Sequence, residues 1–531
     1  MRALFVVRDL ANAEPIGLMQ LAAGLKRAGH QARLACARTT PLSELMESYR
    51  PQLVGYTACT GLHRHLLKLN LGLKRRWDFI SVFGGPHPTF FPEMVGERGV
   101  DAVCRGEGDA AILDIAEAVD AGRSLAGIAN LWAKTPGGVV RAPLRPLVTD
   151  LDALPLADRE ERYRADPPSR DYPVKSFLVS RGCPFRCSYC FNSGYAELYG
   201  LDWCRVRSRS VKSVIDEIDE VRASSRLEFV QFRESVFPWQ LDWLQEFAAE
   251  YPRRVGLPFY CHVRADLLDE RRVELLARAG CVSVNMGIEC GDEEYRREVL
   301  GRPMSDGQIV GACRLLKSRG VRILADNMLG LPGAPAGTDW KTLRLNQRCG
   351  VDYALAMIFQ PYPGTELGRR AVREGLFDGD FGRIDYNYYL RSALRFADDA
   401  ALRRVENLQK LFALLVEAPW LGPLVRLLLG LAPNLAFLSV FRAWYLYCYR
   451  RRIVRCRLAR GELRELALSL FGIFTRGVNR ELVEEDPGMA GHGGDDRPGA
   501  DGGAVHQRLR EERGFIQGRA GQAAGAAGRQ T

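Results

Sequence analysis

The 531-residue chain contains no uninterrupted run of about 20 apolar residues, the length a helix needs to cross a bilayer. It opens on MRALFVVRDL, with no long apolar core before a cleavage site, so no secretory leader is expected. Fourteen cysteines in such a chain suit a reducing, cytoplasmic compartment better than a disulfide framework. No Gly-x-Gly-x-x-Gly follows the first strand-like segment, which argues against a dinucleotide site there. No second Cys-x2-Cys pair is present, which disfavours a zinc knuckle. The net charge of +10 is not organised as a basic stripe with interleaved aromatics, so no nucleic-acid partner is expected. Its excess gathers late, at Arg450, Arg451, Arg452, Arg455, Arg457 and Arg460. That location points first to a membrane surface or a solvated helix face.

The length calls for more than one domain. In residues 1–140, ALFVVRD, ARLACA, LVGYTAC, ISVFGGPH and DAVCRGEG read as strands alternating with helical segments. One helix runs from about Gly17 to Ala28, with Leu18, Leu21 and Leu25 at helical spacing and Gly29 ending it. This alternation predicts a doubly wound parallel sheet, with ligands at the carboxyl ends of the strands. Those ends are rich in small residues: Thr57, Gly84, Gly85 and Gly106, with His87 and Glu107 beside them. Glycine there lets backbone approach a flat ligand.

Residues 141–170, including RAPLRPLVTDLDALPLADRE, read as a linker. Residues 171–400 return to strand–helix units: VKSFLVSRG, LEFVQFRES, PFYCHVRAD, CVSVNMGIECG, VRILADNMLGLPG and YALAMIFQPYPGTEL supply strands. RSVKSVIDEIDEVRA is an amphipathic helix with Val214, Ile218 and Val221 on one face. Residues 401–485 are helical, apolar and basic. Two readings stay open for them: helices covering the preceding domain, or attachment at a membrane interface. Residues 486–531 are too rich in Gly, Ala, Asp and Arg to bury a core, so His492 and His506 are read as solvated.

The densest chemistry lies in SRGCPFRCSYCFN, where Cys183, Cys187 and Cys190 stand close together. A [4Fe–4S] cluster usually takes four thiolates, so three leave one iron open to another ligand. Zinc, a disulfide pair or a chance cluster are the other readings. The other cysteines, such as Cys59, Cys104 and Cys313, lie in apolar stretches, and most are expected to be buried small hydrophobes.

The spacing Cys-x-x-x-Cys-x-aromatic-Cys resembles the cluster loop of radical S-adenosylmethionine (SAM) enzymes. PIGLMQLAAGLKRAGH, GGPHPTFFPE, GVDAVCRGEGD and LVTDLDALPLADR resemble the cobalamin-binding domain and connector that precede the catalytic domain in one branch of that family. The resemblance spans roughly residues 1–370. It implies a Rossmann-like cobalamin-binding domain, then a partial (β/α)6 barrel, then a helical region. It implies three cofactors: a [4Fe–4S] cluster on the three cysteines, SAM on the open iron, and cobalamin on the first domain. Tyr189 would lie near the adenine, Arg264 near the SAM carboxylate and Glu289 near the ribose. MLGLPG, with Gly330 and Pro332, would form a backbone turn beside the adenine. Glu234 stands where many relatives carry a pair of aspartates, which leaves its role open. No Asp-x-His-x-x-Gly is present, so the resemblance implies cobalt bound without a protein histidine, with His87 a pocket residue. The implied activity is methylation of an unactivated carbon of a small-molecule or lipid substrate, driven by an external low-potential electron donor. The same cofactors could serve a cyclising or oxidising enzyme, and a non-catalytic cobalamin or iron–sulfur sensor is the alternative of another class.

Overall fold

The computed structural model describes residues 1–8, 10, 14–384 and 389–456. Its first sheet contains β1 (Arg2–Val7), β2 (Gln31–Cys36), β3 (Leu53–Thr57), β4 (Ile80–Gly84), β5 (Ala102–Cys104), β6 (Leu131–Thr135) and β7 (Gly138–Arg141). The order is β2-β1-β3-β4-β5-β6-β7. β1 to β5 pair in parallel, while β6 and β7 are antiparallel additions. Helices cover a parallel sheet on both faces, so its strands are apolar throughout rather than alternating. Ala3 to Val6 are accordingly all buried. The helix Ile16–Arg27 packs Leu18, Met19, Ala22 and Leu25 inward, and Gly29 follows it at φ +85°. Strand order reverses between β1 and β3, which opens a crevice at their carboxyl ends.

The second sheet contains β8 (Val174–Phe177), β11 (Phe229–Phe232), β12 (Phe259–Val263), β13 (Cys281–Glu289), β14 (Arg322–Leu329) and β15 (Tyr353–Ile358). They lie side by side in chain order, all parallel. Among the described strands β15 does not pair with β8, so the barrel is open. A two-stranded hairpin, β9 (Ser180–Arg181) and β10 (Arg207–Ser208), stands after β8. Outward residues such as Val230, Phe232, Cys261 and Val284 join Val214, Ile218, Val221 and Phe247 of the surrounding helices in one core.

The inner face is filled from below by the last described helices. Leu438, Phe441 and Cys448 of the helix Leu435–Cys448 pack with Ile453 against Val174, Phe229, Tyr260, Leu324 and Tyr353. Polar contacts fix the seam: Gln231 Nε2 donates to Tyr449 Oη at 2.7 Å, and Ser283 Oγ donates to the Ile453 carbonyl at 2.8 Å. The helix Asp399–Glu417 packs on β15 and against Leu435–Cys448. No helix among the described residues is long and apolar enough to cross a membrane. Arg457, Arg460, His492 and His506 lie outside the described residues.

Candidate active site

Cys183, Cys187 and Cys190 lie on the loop between β9 and the helix Phe191–Tyr199, with Cys190 at the helix N-cap. Cys183 and Cys187 are buried, and Cys190 is half-buried. None of the three is joined in a disulfide. The loop turns tightly: Gly182 has φ +94°, and a Cβ there would stand 2.7 Å from the Trp203 carbonyl. Cationic and amide donors face the sulfurs. Arg264 Nη1 is 3.4 Å and Arg302 Nη1 is 3.8 Å from Cys187 Sγ; Asn192 Nδ2 is 3.6 Å from Cys190 Sγ. Burial pushes the Cys183 thiol up and the Cys190 thiol to about 12.

Beside this loop, the Tyr189 hydroxyl donates to Glu289 Oε1 at 2.9 Å. Glu289 is at φ +65°, next to a register shift between Gly287 and Glu289. A bulge re-aims a side chain, and a non-glycine residue held in this region costs about 1–3 kcal/mol that the surroundings must over-determine. Arg302 supplies part of that. Its guanidinium reaches Tyr189 Oη at 3.2 Å and the Gly287 carbonyl at 2.6 Å. Burial raises the pKa of Glu289 against the lowering effect of Arg302. Arg264 is gripped by both oxygens of Asp266, at 3.0 and 2.8 Å, and lies over the Phe185 ring at 3.5 Å. The MLGLPG turn follows β14. Gly330 has φ +67°, its N–H donates to Asp339, and the Pro332 carbonyl accepts from Tyr295. Met328, Leu331 and Tyr189 share one apolar cluster, so the turn and the cluster loop are neighbours.

A cavity of about 610 Å³ joins the carboxyl ends of the first sheet to the mouth of the barrel. Thr57, Gly84, Gly85, Gly106 and Glu107 line it on one side; Asn192, Trp203 and Glu234 line it on the other. A Cβ added at Gly84 or Gly108 would meet nothing closer than 3.7 Å, and at Gly17 nothing within 4 Å. Glycine at these points keeps the cavity open rather than relieving a clash. Glu234 is 3% exposed. Its Oε2 accepts from the Val179 N–H at 3.2 Å, and its Oε1 has no protein partner. Burial raises its pKa to about 8.

One expectation is corrected here, and one cysteine is an exception to another. His87 does not line the cavity. It is buried, bonded to Thr60 Oγ1 at 3.0 Å and stacked on His63 at a centroid distance of 3.7 Å. The Gly85-Pro86 turn starts a short helix that carries His87 inward, away from the crevice. Cys59 is exposed rather than buried, because it lies beyond β3 in the following loop.

Glu107 lines the cavity but has both carboxylate oxygens engaged. Arg207 of β10 donates to them at 2.9 and 3.1 Å, and the Val148 N–H donates at 2.9 Å. Arg181 of β9 donates to Asp109 at 2.7 and 3.1 Å and to Gln20 at 3.1 Å. The hairpin thus clasps the first sheet to the barrel.

A family model described as the B12 binding domain matches residues 5–116, and one described as the radical SAM superfamily matches residues 177–345. The chain therefore carries both a B12-binding domain and a radical SAM domain. This cobalamin-dependent radical SAM enzyme is 26% identical over 375 residues to an uncharacterized methyltransferase of Pyrococcus horikoshii, covering 68% of this chain and 79% of that one. It is 29% identical over 378 residues to the anaerobic magnesium-protoporphyrin IX monomethyl ester cyclase of Rubrivivax gelatinosus, covering 67% and 66%. Its fold is similar to that of TsrM, a radical SAM methyltransferase from Kitasatospora setae solved with cobalamin and a [4Fe–4S] cluster. The TM-score is 0.58 at 21% identity, covering 70% of this chain and 78% of that one.

The cofactors of this family fit the residues present. Among the described residues no three His, Cys, Asp or Glu side chains converge on a point that one metal ion could fill. Three thiolates on three different irons of a cluster need no such convergence. Three thiols on one short loop, with Arg264 and Arg302 beside Cys187, are a donor set that suits a metal cluster. The glycine-lined cavity and the orphaned Glu234 oxygen suit a large, flat cofactor on the first sheet. Arg302 escaped the sequence reading, because it lies in the loop before the helix Asp306–Ser318 and no local pattern marks it.

Proposed function

We propose that this radical SAM enzyme transfers a methyl group to an unactivated carbon of a small-molecule or lipid substrate. The observation that carries the reading is the cavity shared by the strand ends of the first sheet and the barrel mouth. It runs from the strand ends of the first sheet to Gly182 and Asn192, which flank the cysteine loop. Cys183, Cys187 and Cys190 would hold the cluster, with Arg264 and Arg302 balancing charge at Cys187. Tyr189, Glu289, Arg264 and the turn at Gly330 and Pro332 would surround SAM. Thr57, Gly84, Gly85 and Gly106 would carry the corrin, with Glu107 holding that wall in place. Bound there, the cofactors supply reductive cleavage of SAM to a hydrogen-abstracting radical and a methyl group for the substrate. The chain positions the reactants and excludes water. Glu234, whose pKa burial raises to about 8, lines the same cavity with Oε1 left unpartnered among the described residues.

The likeness to a ring-closing enzyme at 29% identity supports a second reading, cyclisation without methyl transfer. The test is anaerobic reconstitution with cluster, cobalamin, SAM and a low-potential reductant, followed by mass spectrometry of treated cell extracts. Methyl transfer yields S-adenosylhomocysteine together with 5′-deoxyadenosine and a substrate heavier by one methylene. 5′-Deoxyadenosine alone, with a product lacking that increment, rejects the methyltransferase reading.

A further inference from the structure

Among the described residues, the C-terminal helices turn one face to the barrel and leave another exposed. Six of the ten large apolar side chains exposed among the described residues come from a single segment: Trp420, Leu424, Leu427, Leu431, Val440 and Tyr447. Trp420 is 78% and Leu427 80% exposed. On the helix Leu435–Cys448, Leu438, Phe441 and Cys448 point inward. Ala436, Val440, Ala443 and Tyr447 form an exposed stripe that runs on to Arg451, the i, i+4, i+7 spacing of one helix face. The two parts of the patch are joined at Glu417. That residue is three positions before Trp420, and it accepts from Trp444 Nε1 at 3.1 Å and pairs with Arg452 at 2.9 Å. Patches of this kind on a soluble surface mark interaction sites.

The charge of the segment selects the occupant. Residues 418–456 contain no aspartate or glutamate and six arginines: Arg426, Arg442, Arg450, Arg451, Arg452 and Arg455. Arg426, Arg451 and Arg455 are exposed. An apolar face bordered by arginines, with the adjoining Glu417 paired to Arg452, matches a surface that offers hydrocarbon beneath negative headgroups. We propose that this face docks the enzyme on anionic lipid, inserting Trp420, Leu424 and Leu427 and resting Arg451 and Arg455 on the headgroups. The docking reading is independent of what reaction the enzyme carries out.

The test is flotation of the full-length, cluster-loaded protein with vesicles of phosphatidylglycerol and phosphatidylcholine, or of phosphatidylcholine alone, at low and high salt. The protein floats with the anionic vesicles at low salt and is released as salt rises. Trp420→Ser combined with Leu427→Ser abolishes flotation; both side chains are exposed, so far-ultraviolet circular dichroism and iron–sulfur absorbance stay unchanged. Arg451→Gln and Arg455→Gln each weaken binding roughly fivefold, the effect of one basic residue at such a surface. Failure of the wild type to float at low salt overturns the proposal, as does equal, salt-insensitive flotation with both vesicle types. A concentration-dependent dimer that disappears in the Trp420→Ser, Leu427→Ser variant overturns it too, and assigns the face to a second copy of the chain.

Discussion

Tyr189 and Glu289 stand 100 residues apart in sequence and meet through a hydrogen bond of 2.9 Å. The contact ties the cluster loop to the bulged end of β13, and Arg302 secures it from a third segment. The loop, the bulge and the arginine form one buried polar unit in which each member orients another.

The unit predicts that Arg302→Met destabilises the fold. Loss of the guanidinium leaves buried polar partners uncompensated, which costs about 3 kcal/mol. Urea denaturation of the anaerobically purified protein reads this as a lower midpoint with an unchanged slope, and Arg302→Lys falls between the two. An unaltered midpoint in Arg302→Met removes Arg302 from the unit.

Replacing Cys183, Cys187 and Cys190 together by alanine abolishes the iron–sulfur absorbance and all formation of 5′-deoxyadenosine. Far-ultraviolet circular dichroism retains the wild-type strand and helix signal. A normal cluster in the triple variant contradicts the ligand assignment.

The hairpin clasp predicts a second kind of loss. Arg207→Ala removes a buried, doubly bonded partner of Glu107 and weakens the attachment of the first sheet by about 3 kcal/mol. Limited proteolysis then cuts the 142–158 connector faster than in the wild type, and the purified protein retains less cobalamin. Equal cleavage rates in variant and wild type remove the clasp's role.

The stacked histidines predict a pH response. Burial lowers the pKa of His63 to about 4 and of His87 to about 3; Arg64 adds to the effect at His63, and Asp380 opposes it. Below the unfolded value of about 6.5 the unfolded chain takes up protons that the folded one refuses, so stability falls as pH drops. At pH 5 this amounts to about 2 kcal/mol per ring. In His87→Gln one ring's share of the acid slope between pH 6.5 and 4 disappears, measured as denaturation midpoint against pH. The variant keeps its cobalamin, and its cob(II)alamin spectrum is that of the wild type. An unchanged acid slope shows that His87 is not the group responsible.

Much of the fold was legible because parallel strands buried on both faces appear as short apolar runs, as in ALFVVRD and VRILADNML. The cysteine loop was legible because its ligands are local in sequence. The hairpin β6–β7 was missed: it adds to an edge, and β7 is exposed along its length. Arg302 was missed because its partners come from Tyr189 and Gly287, contacts that only the assembled barrel creates. His87 was misplaced because composition marks a glycine-rich strand end but not the direction of the helical turn that follows. Of the two readings of the C-terminal region, the structure shows helices packed on the barrel; the apolar content of the sequence did not reveal which helix faces pack.

The seam between the helix Leu435–Cys448 and the inner strands has a consequence for the inner face of the barrel. Gln231 and Ser283 bind the foot of the barrel shut with hydrogen bonds to Tyr449 and Ile453. With the foot stoppered, the mouth is left as a doorway to the inner face, and it opens onto the cavity at the strand ends of the first sheet. That doorway is roofed by the first sheet. Access to the inner face from that side therefore depends on the contacts by which Arg181 and Arg207 hold the first sheet in place.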